Sequence, residues 1–164
     1  MARMTATAPS PSAAAILRTR IAPGRPRPGL TAEIAVCRCS EPARAGLYLL
    51  NGDWDAAHRT AQEIDSPLGA HWHALVHRQE PDLPNSKYWL ARVGPSPIYP
   101  RLAEAARAAG HGELLRDGKW DAVRFTDCLA DPRNASWTGS LDALEREELL
   151  DHCMAMEIPE RHAR

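Results

Sequence analysis

The chain has 164 residues, enough for one domain with a tail. Twenty Lys and Arg stand against 21 Asp and Glu, a net charge of -1. That balance gives no overall positive field, so no nucleic-acid partner is expected. No apolar run approaches the roughly 18 residues of a membrane span, so no membrane partner is expected either.

The first 32 residues contain five arginines and no acid, making that stretch +5 and the remainder −6. Its Ala, Pro and Arg content predicts a disordered basic tail over 1–29. A single helical domain is expected over 30–158, with a polar tail over 159–164. Cys37 and Cys39 form a C-x-C pair but lack the second pair that a zinc site usually needs. With Cys128 and Cys153 they read as reduced thiols of a cytoplasmic protein.

Pro42, in the first turn of a short helix, precedes Ala43, Leu47 and Leu50. Asn51-Gly52-Asp53 ends that helix. Trp54, Ala57, Ala61 and Ile64 form one apolar stripe, predicting a helix over 54–64. Ser66-Pro67 opens the next helix, which runs to about Glu80, and Pro81 and Pro84 stop it. Asn85 is placed to cap a short helix through Tyr88, Trp89 and Val93, ended by Gly94-Pro95-Ser96-Pro97. A helix from Ile98 to Ala109 follows, then a turn at Leu114-Leu115 and a helix from Trp120 to Leu129. Asp131-Pro132-Arg133-Asn134 reads as a loop. Ser140 can cap a last helix over about 141–156, whose Glu145, Glu147, Glu148 and Asp151 read as a solvated face.

No β pattern emerges, so the expected fold is all-α, a compact domain of packed helical hairpins. Gly52-Asp53-Trp54-Asp55-Ala56-Ala57 is echoed by Gly118-Lys119-Trp120-Asp121-Ala122-Val123, an opening similar to tetratricopeptide-like stacking. Trp54, Trp72 and Trp120 are expected to anchor the hairpins.

Four of the seven histidines lie between His58 and His77. On a helix, Leu68, Trp72, Leu75 and Val76 share the core side. His73, His77 and Glu80 fall at i, i+4 and i+7 and share another, with Asp82 just beyond. Two imidazoles one turn apart with the Glu80 carboxylate can ligate a divalent metal such as Zn, Mn or Fe. His73, His77, Glu80 and Asp82 can also exchange protons as general acids and bases. Ala74 stands where H-E-x-x-H carries its Glu, so this is not that metalloprotease motif. A structural network is the alternative, with His73 and His77 capping neighbouring backbone groups or stacked on Trp89, and Glu80 paired with Arg78 or Arg92. His58, Arg78, Tyr88, Trp89 and Arg92 are candidate ligand contacts, because imidazole, guanidinium and aromatic rings together suit a small anionic or aromatic ligand.

The segments N-G-D-W-D-A-A-H-R-T-A-Q-E-I and W-H-A-L-V-H-R-Q-E-P-D-L-P-N-S-K-Y-W-L-A-R-V-G resemble a family of uncharacterised small helical proteins from bacteria and fungi. The resemblance spans about Pro42 to Val93. The family pattern W-H-x-x-x-H-R-x-E-x-D, N-x-x-Y-W and R-x-G marks Trp72, His73, His77, Arg78, Glu80, Asp82, Asn85, Tyr88, Trp89, Arg92 and Gly94. Ala91 and Ser96 stand where members often carry Arg and His. The resemblance implies no particular reaction. The leading expectation is a helical domain, monomer or homodimer, that binds a small molecule or protein through the His73–Arg92 region. The rival is an enzyme using His73 and His77 with Glu80 or Asp82, with a divalent metal or without one.

Overall fold

A computed structural model describes residues 12–22 and 26–156. Helices α1 (Ala13–Arg20) and α2 (Pro28–Val36) precede two hairpins, α3 (Glu41–Leu50) with α4 (Trp54–Gln62) and α5 (Pro67–Gln79) with α6 (Leu83–Val93). Helix α7 (Tyr99–Ala108), a two-residue strand pair β1 (Leu115–Arg116) and β2 (Lys119–Trp120), α8 (Ala122–Leu129) and the long α9 (Ala135–Ala155) complete the order. Helix α3 packs on α4, α4 on α5 and α5 on α6, while α9 crosses back onto α3 and α7. The domain is compact and all-α, built from packed helical hairpins as the apolar spacing predicts.

Local chemistry sets the helix starts. The Ser40 and Ser66 side chains accept from Ala43 N and Gly69 N, with Pro42 and Pro67 in the first turns. Asp82, rather than Asn85, caps α6, its carboxylate accepting from Asn85 N at 3.3 Å. Two glycines permit close approach around α5. A Cβ on Gly46 would lie 2.6 Å from the Trp72 ring, and one on Gly69 would lie 2.1 Å from the Ile64 carbonyl oxygen. These contacts seat α5 in the centre of the bundle, where Trp72, Leu75 and Val76 are fully buried.

The fold begins earlier than residue 30. Ala14 and Leu17 of α1 are buried, and Arg18 pairs with Glu147 and Asp151 of α9. Arg18, which reads as tail charge, is here matched to an acidic helix, and Arg20 pairs with Glu33 of α2. Residues 1–11 and 23–25 of the expected tail, and 157–164 with the expected polar C-terminus, lie outside the described residues.

Trp120 sits in β2 rather than in a helix. Asp117 and Gly118, both at positive φ, make the tight turn between the strands, and Asp121 caps α8. The sequence echo therefore adopts two structures. Trp120 is 5% exposed and packs on Phe125, whereas Trp54, at the start of α4, is 42% exposed and lies outside the core cluster. The last helix starts at Ala135, six residues before the expected position, with a 3-10 turn over Pro132–Asn134 feeding into it.

Candidate metal centre

Helix α5 carries polar side chains into the bundle on two faces. His73 and His77, one turn apart, face α4 and α6. His71 and Arg78, two turns apart, face α9. The short connection between α4 and α5 brings His58 of α4 onto the first face. One ligand nitrogen from each of His58, His73 and His77 lies within 4.8 Å of the other two. His73 and His77 are buried and His58 is half-buried. This cluster is geometrically consistent with coordinating a divalent metal ion, and equally compatible with acid–base chemistry.

The rings are held from several sides. The His73 ring stacks on Trp89 of α6 with centroids 4.1 Å apart, and on His77 at 4.9 Å. His58 meets both edge-on, at 4.5 and 4.9 Å. The Nε2 atoms of His58 and His73 approach to 2.6 Å, so one must carry the hydrogen and the other the lone pair. Glu80 closes the cluster from outside. Its Oε2 is 3.3 Å from His77 Nδ1 and its Oε1 is 3.8 Å from His58 Nδ1. Asp82 Oδ2 lies 3.8 Å from His77 Nδ1.

The electrostatics favour uncharged imidazoles. Burial, then the neighbouring His58 and His77, lower the His73 pKa to about 4. Burial and His58 lower that of His77 as well, against the opposing pull of Glu80 and Asp82. A neutral imidazole offers a lone pair, which is the form that binds metal.

The structure brings together only part of the expected constellation. His73 and His77 meet, and His58 joins them as a third potential ligand. Glu80 lies outside the ligand group, behind two of the rings. Asp82 is engaged mainly with Asn85, whose Nδ2 donates to it at 2.7 Å; this hydrogen bond holds the carboxyl below its ordinary value. Trp89 walls His73. Tyr88 is exposed, with the Arg92 guanidinium 3.5 Å over its ring, and Arg92 also lies 5.6 Å from the Trp89 centroid. The described contacts of Arg92 are thus with Tyr88 and Trp89 and not with the histidines. Neither Arg78 nor Arg92 pairs with Glu80 among the described ion pairs.

Arg78 faces away from the cluster. Its Nη1 donates to Glu145 Oε2 at 2.6 Å and to Asp142 Oδ1 at 3.1 Å, and its Nη2 donates to Thr126 at 3.1 Å. His71 Nε2 lies 3.0 Å from Glu145 Oε1. Burial would raise the Glu145 pKa, but Arg78 and His71 outweigh it and hold the carboxylate at about 2. Glu145 is thus not on a solvated face. The visible signal is its position: Leu141, Glu145 and Leu149 fall at i, i+4 and i+8, placing the acid within an apolar stripe. His58 as a ligand had a weaker signal, the short loop joining its helix to α5.

Comparison with known protein families, curated proteins and solved structures finds no match.

Proposed function

We propose that this protein is a divalent-metal-dependent enzyme whose centre is held by His58, His73 and His77. The observation that carries this reading is the convergence of three imidazoles from α4 and α5, with burial holding His73 and His77 uncharged. Structural zinc sites use four protein ligands; three, with a position left for water, is the pattern of catalytic sites. The group found among the described residues has three. Glu80 and Asp82 supply two negative charges against the outer ring nitrogens, which offsets the charge of a dication.

A zinc ion held by His58, His73 and His77 would supply Lewis-acid activation of water near neutral pH, suited to hydrolysis or hydration of a small molecule. The chain's own imidazoles would hold the ion, and stacking on Trp89 and the Glu80 carboxylate orient them. Trp89, Tyr88 and Arg92 form the neighbouring surface of α6, where a small ligand would be received. A cytoplasmic setting fits the reduced thiols of Cys37, Cys128 and Cys153. We also place the chain with the uncharacterised bacterial and fungal family, on the motif from Trp72 to Gly94.

A metal-free reading has one observation in its favour. The 2.6 Å His58–His73 contact, with Glu80 behind His58, is the order carboxylate, imidazole, imidazole of a proton relay. Equilibrium dialysis of the untagged protein against zinc, manganese and iron(II) separates the two. Tight binding of one ion per chain, abolished in His73→Ala, is expected. No binding of any of the three ions leaves only the relay.

A further inference from the structure

We propose that Glu80 is a positioning residue of the centre, setting the tautomers of His58 and His77 so that both present Nε2 as the lone-pair nitrogen. The proposal rests on the reading of His58, His73 and His77 as metal ligands. It deepens that reading by giving Glu80 a role outside the coordination sphere.

Four observations lead to it. First, the two Glu80 oxygens are divided between two rings on two helices, Oε2 to His77 Nδ1 at 3.3 Å and Oε1 to His58 Nδ1 at 3.8 Å. Second, Glu80 is not among the residues whose ligand atoms converge, although it carries suitable atoms. Third, the remaining nearby carboxylate is otherwise engaged: Asp82 takes the Asn85 amide and caps α6. Fourth, the backbone holds Glu80 in place. Its N–H donates to the Val76 carbonyl at 3.1 Å, ending α5 one turn after His77.

The chemistry follows from the imidazole ring. A neutral ring has one N–H and one lone pair, and a carboxylate beside Nδ1 favours the hydrogen there. Nε2 is then free to ligate. An outer carboxylate also makes the ligating nitrogen more basic and fixes the ring's orientation. In the ion-free protein the same assignment makes His58 Nε2 the acceptor in the 2.6 Å contact and His73 Nε2 the donor. The contacts from Glu80 are close approaches rather than well-aligned hydrogen bonds, particularly at His58. The two rings are thus already arranged for an ion that would draw them to their final orientation.

Zinc is the probe, with the full-length untagged chain as wild type, Glu80→Gln, Glu80→Asp and His73→Ala. Long-range proton–nitrogen NMR assigns the tautomers, chelator competition measures zinc affinity, and thermal unfolding checks the fold. The wild type is expected to show Nδ1–H on both His58 and His77. Glu80→Gln should lose that uniform assignment and bind zinc about 10–100-fold more weakly, with folding retained. Glu80→Asp, which keeps the charge on a shorter arm, should fall between the two. A general loss of fold would not produce that graded rescue. Unchanged zinc affinity and unchanged tautomers in Glu80→Gln overturn the positioning role and leave the histidine centre standing. Failure of the wild type to bind zinc overturns the centre itself, and the role with it.

Discussion

Helix α5 buries polar side chains on two opposite faces, and the two clusters are solved differently. Toward α9, Arg78 meets Glu145 and Asp142, His71 meets Glu145, and Thr126 accepts from Arg78 Nη2. Opposite charges are matched and enclosed. Toward α4 and α6, three imidazoles face one another, with two ring nitrogens 2.6 Å apart and the carboxylates behind them. A buried network whose charges pair with each other is part of the architecture. A buried cluster whose ring nitrogens converge is geometrically consistent with holding a metal ion. That contrast separates the charge-paired face of α5 from its candidate metal-binding face, although the sequence intermixes them as His71, His73, His77 and Arg78.

The contrast can be tested by breaking each face separately. The largest effect is expected on the α9 side. Arg78→Ala leaves Glu145 buried without its main counter-charge and should cost about 3–5 kcal/mol of stability, read by urea unfolding. Zinc binding by the folded fraction should persist. Acid should attack the same face. The folded pKa of Glu145, about 2, lies below its ordinary 4.5. Its contribution is therefore complete above about 4.5 and is lost as pH falls toward 2. Urea midpoints at stepped pH should decline across that window, and the decline should flatten in Glu145→Gln.

On the other face the expected signature is reversed. His73→Ala removes the ring between Trp89 and His58, and should abolish zinc binding while the domain stays folded by circular dichroism. Loss of folding with no prior metal affinity in the wild type would make both faces structural. The smallest effect is expected at Arg92→Ala. This exposed guanidinium rests on Tyr88, so stability should change by no more than about 0.5 kcal/mol and metal content not at all.

Much of the architecture was legible because helix periodicity and caps are local. Ser66-Pro67, the Trp72–Leu75–Val76 core side and the breaks at Asn51-Gly52 and Gly94 all appear where the residues place them. What was not legible depends on partners distant in sequence. The arginines of α1 read as tail until Glu147 and Asp151 are brought beside Arg18. Trp54 and Trp120 share a local motif, but only Trp120 is covered, because the turn at Asp117-Gly118 folds it back under α7 and onto Phe125. At the site, the spacing of His73, His77 and Glu80 indicated a shared face. It could not show that His58, from another helix, would stand where a ligand is needed while Glu80 turned to the outer nitrogens.

The central claim is that His58, His73 and His77 form a metal centre. Its most direct test is the metal content of untagged protein loaded with zinc and dialysed against metal-free buffer. The account predicts one zinc retained per chain, lost in both His58→Ala and His77→Ala, and retained in Arg92→Ala. Absence of retained zinc in the wild type, or the same zinc content in His58→Ala and His77→Ala, would contradict it.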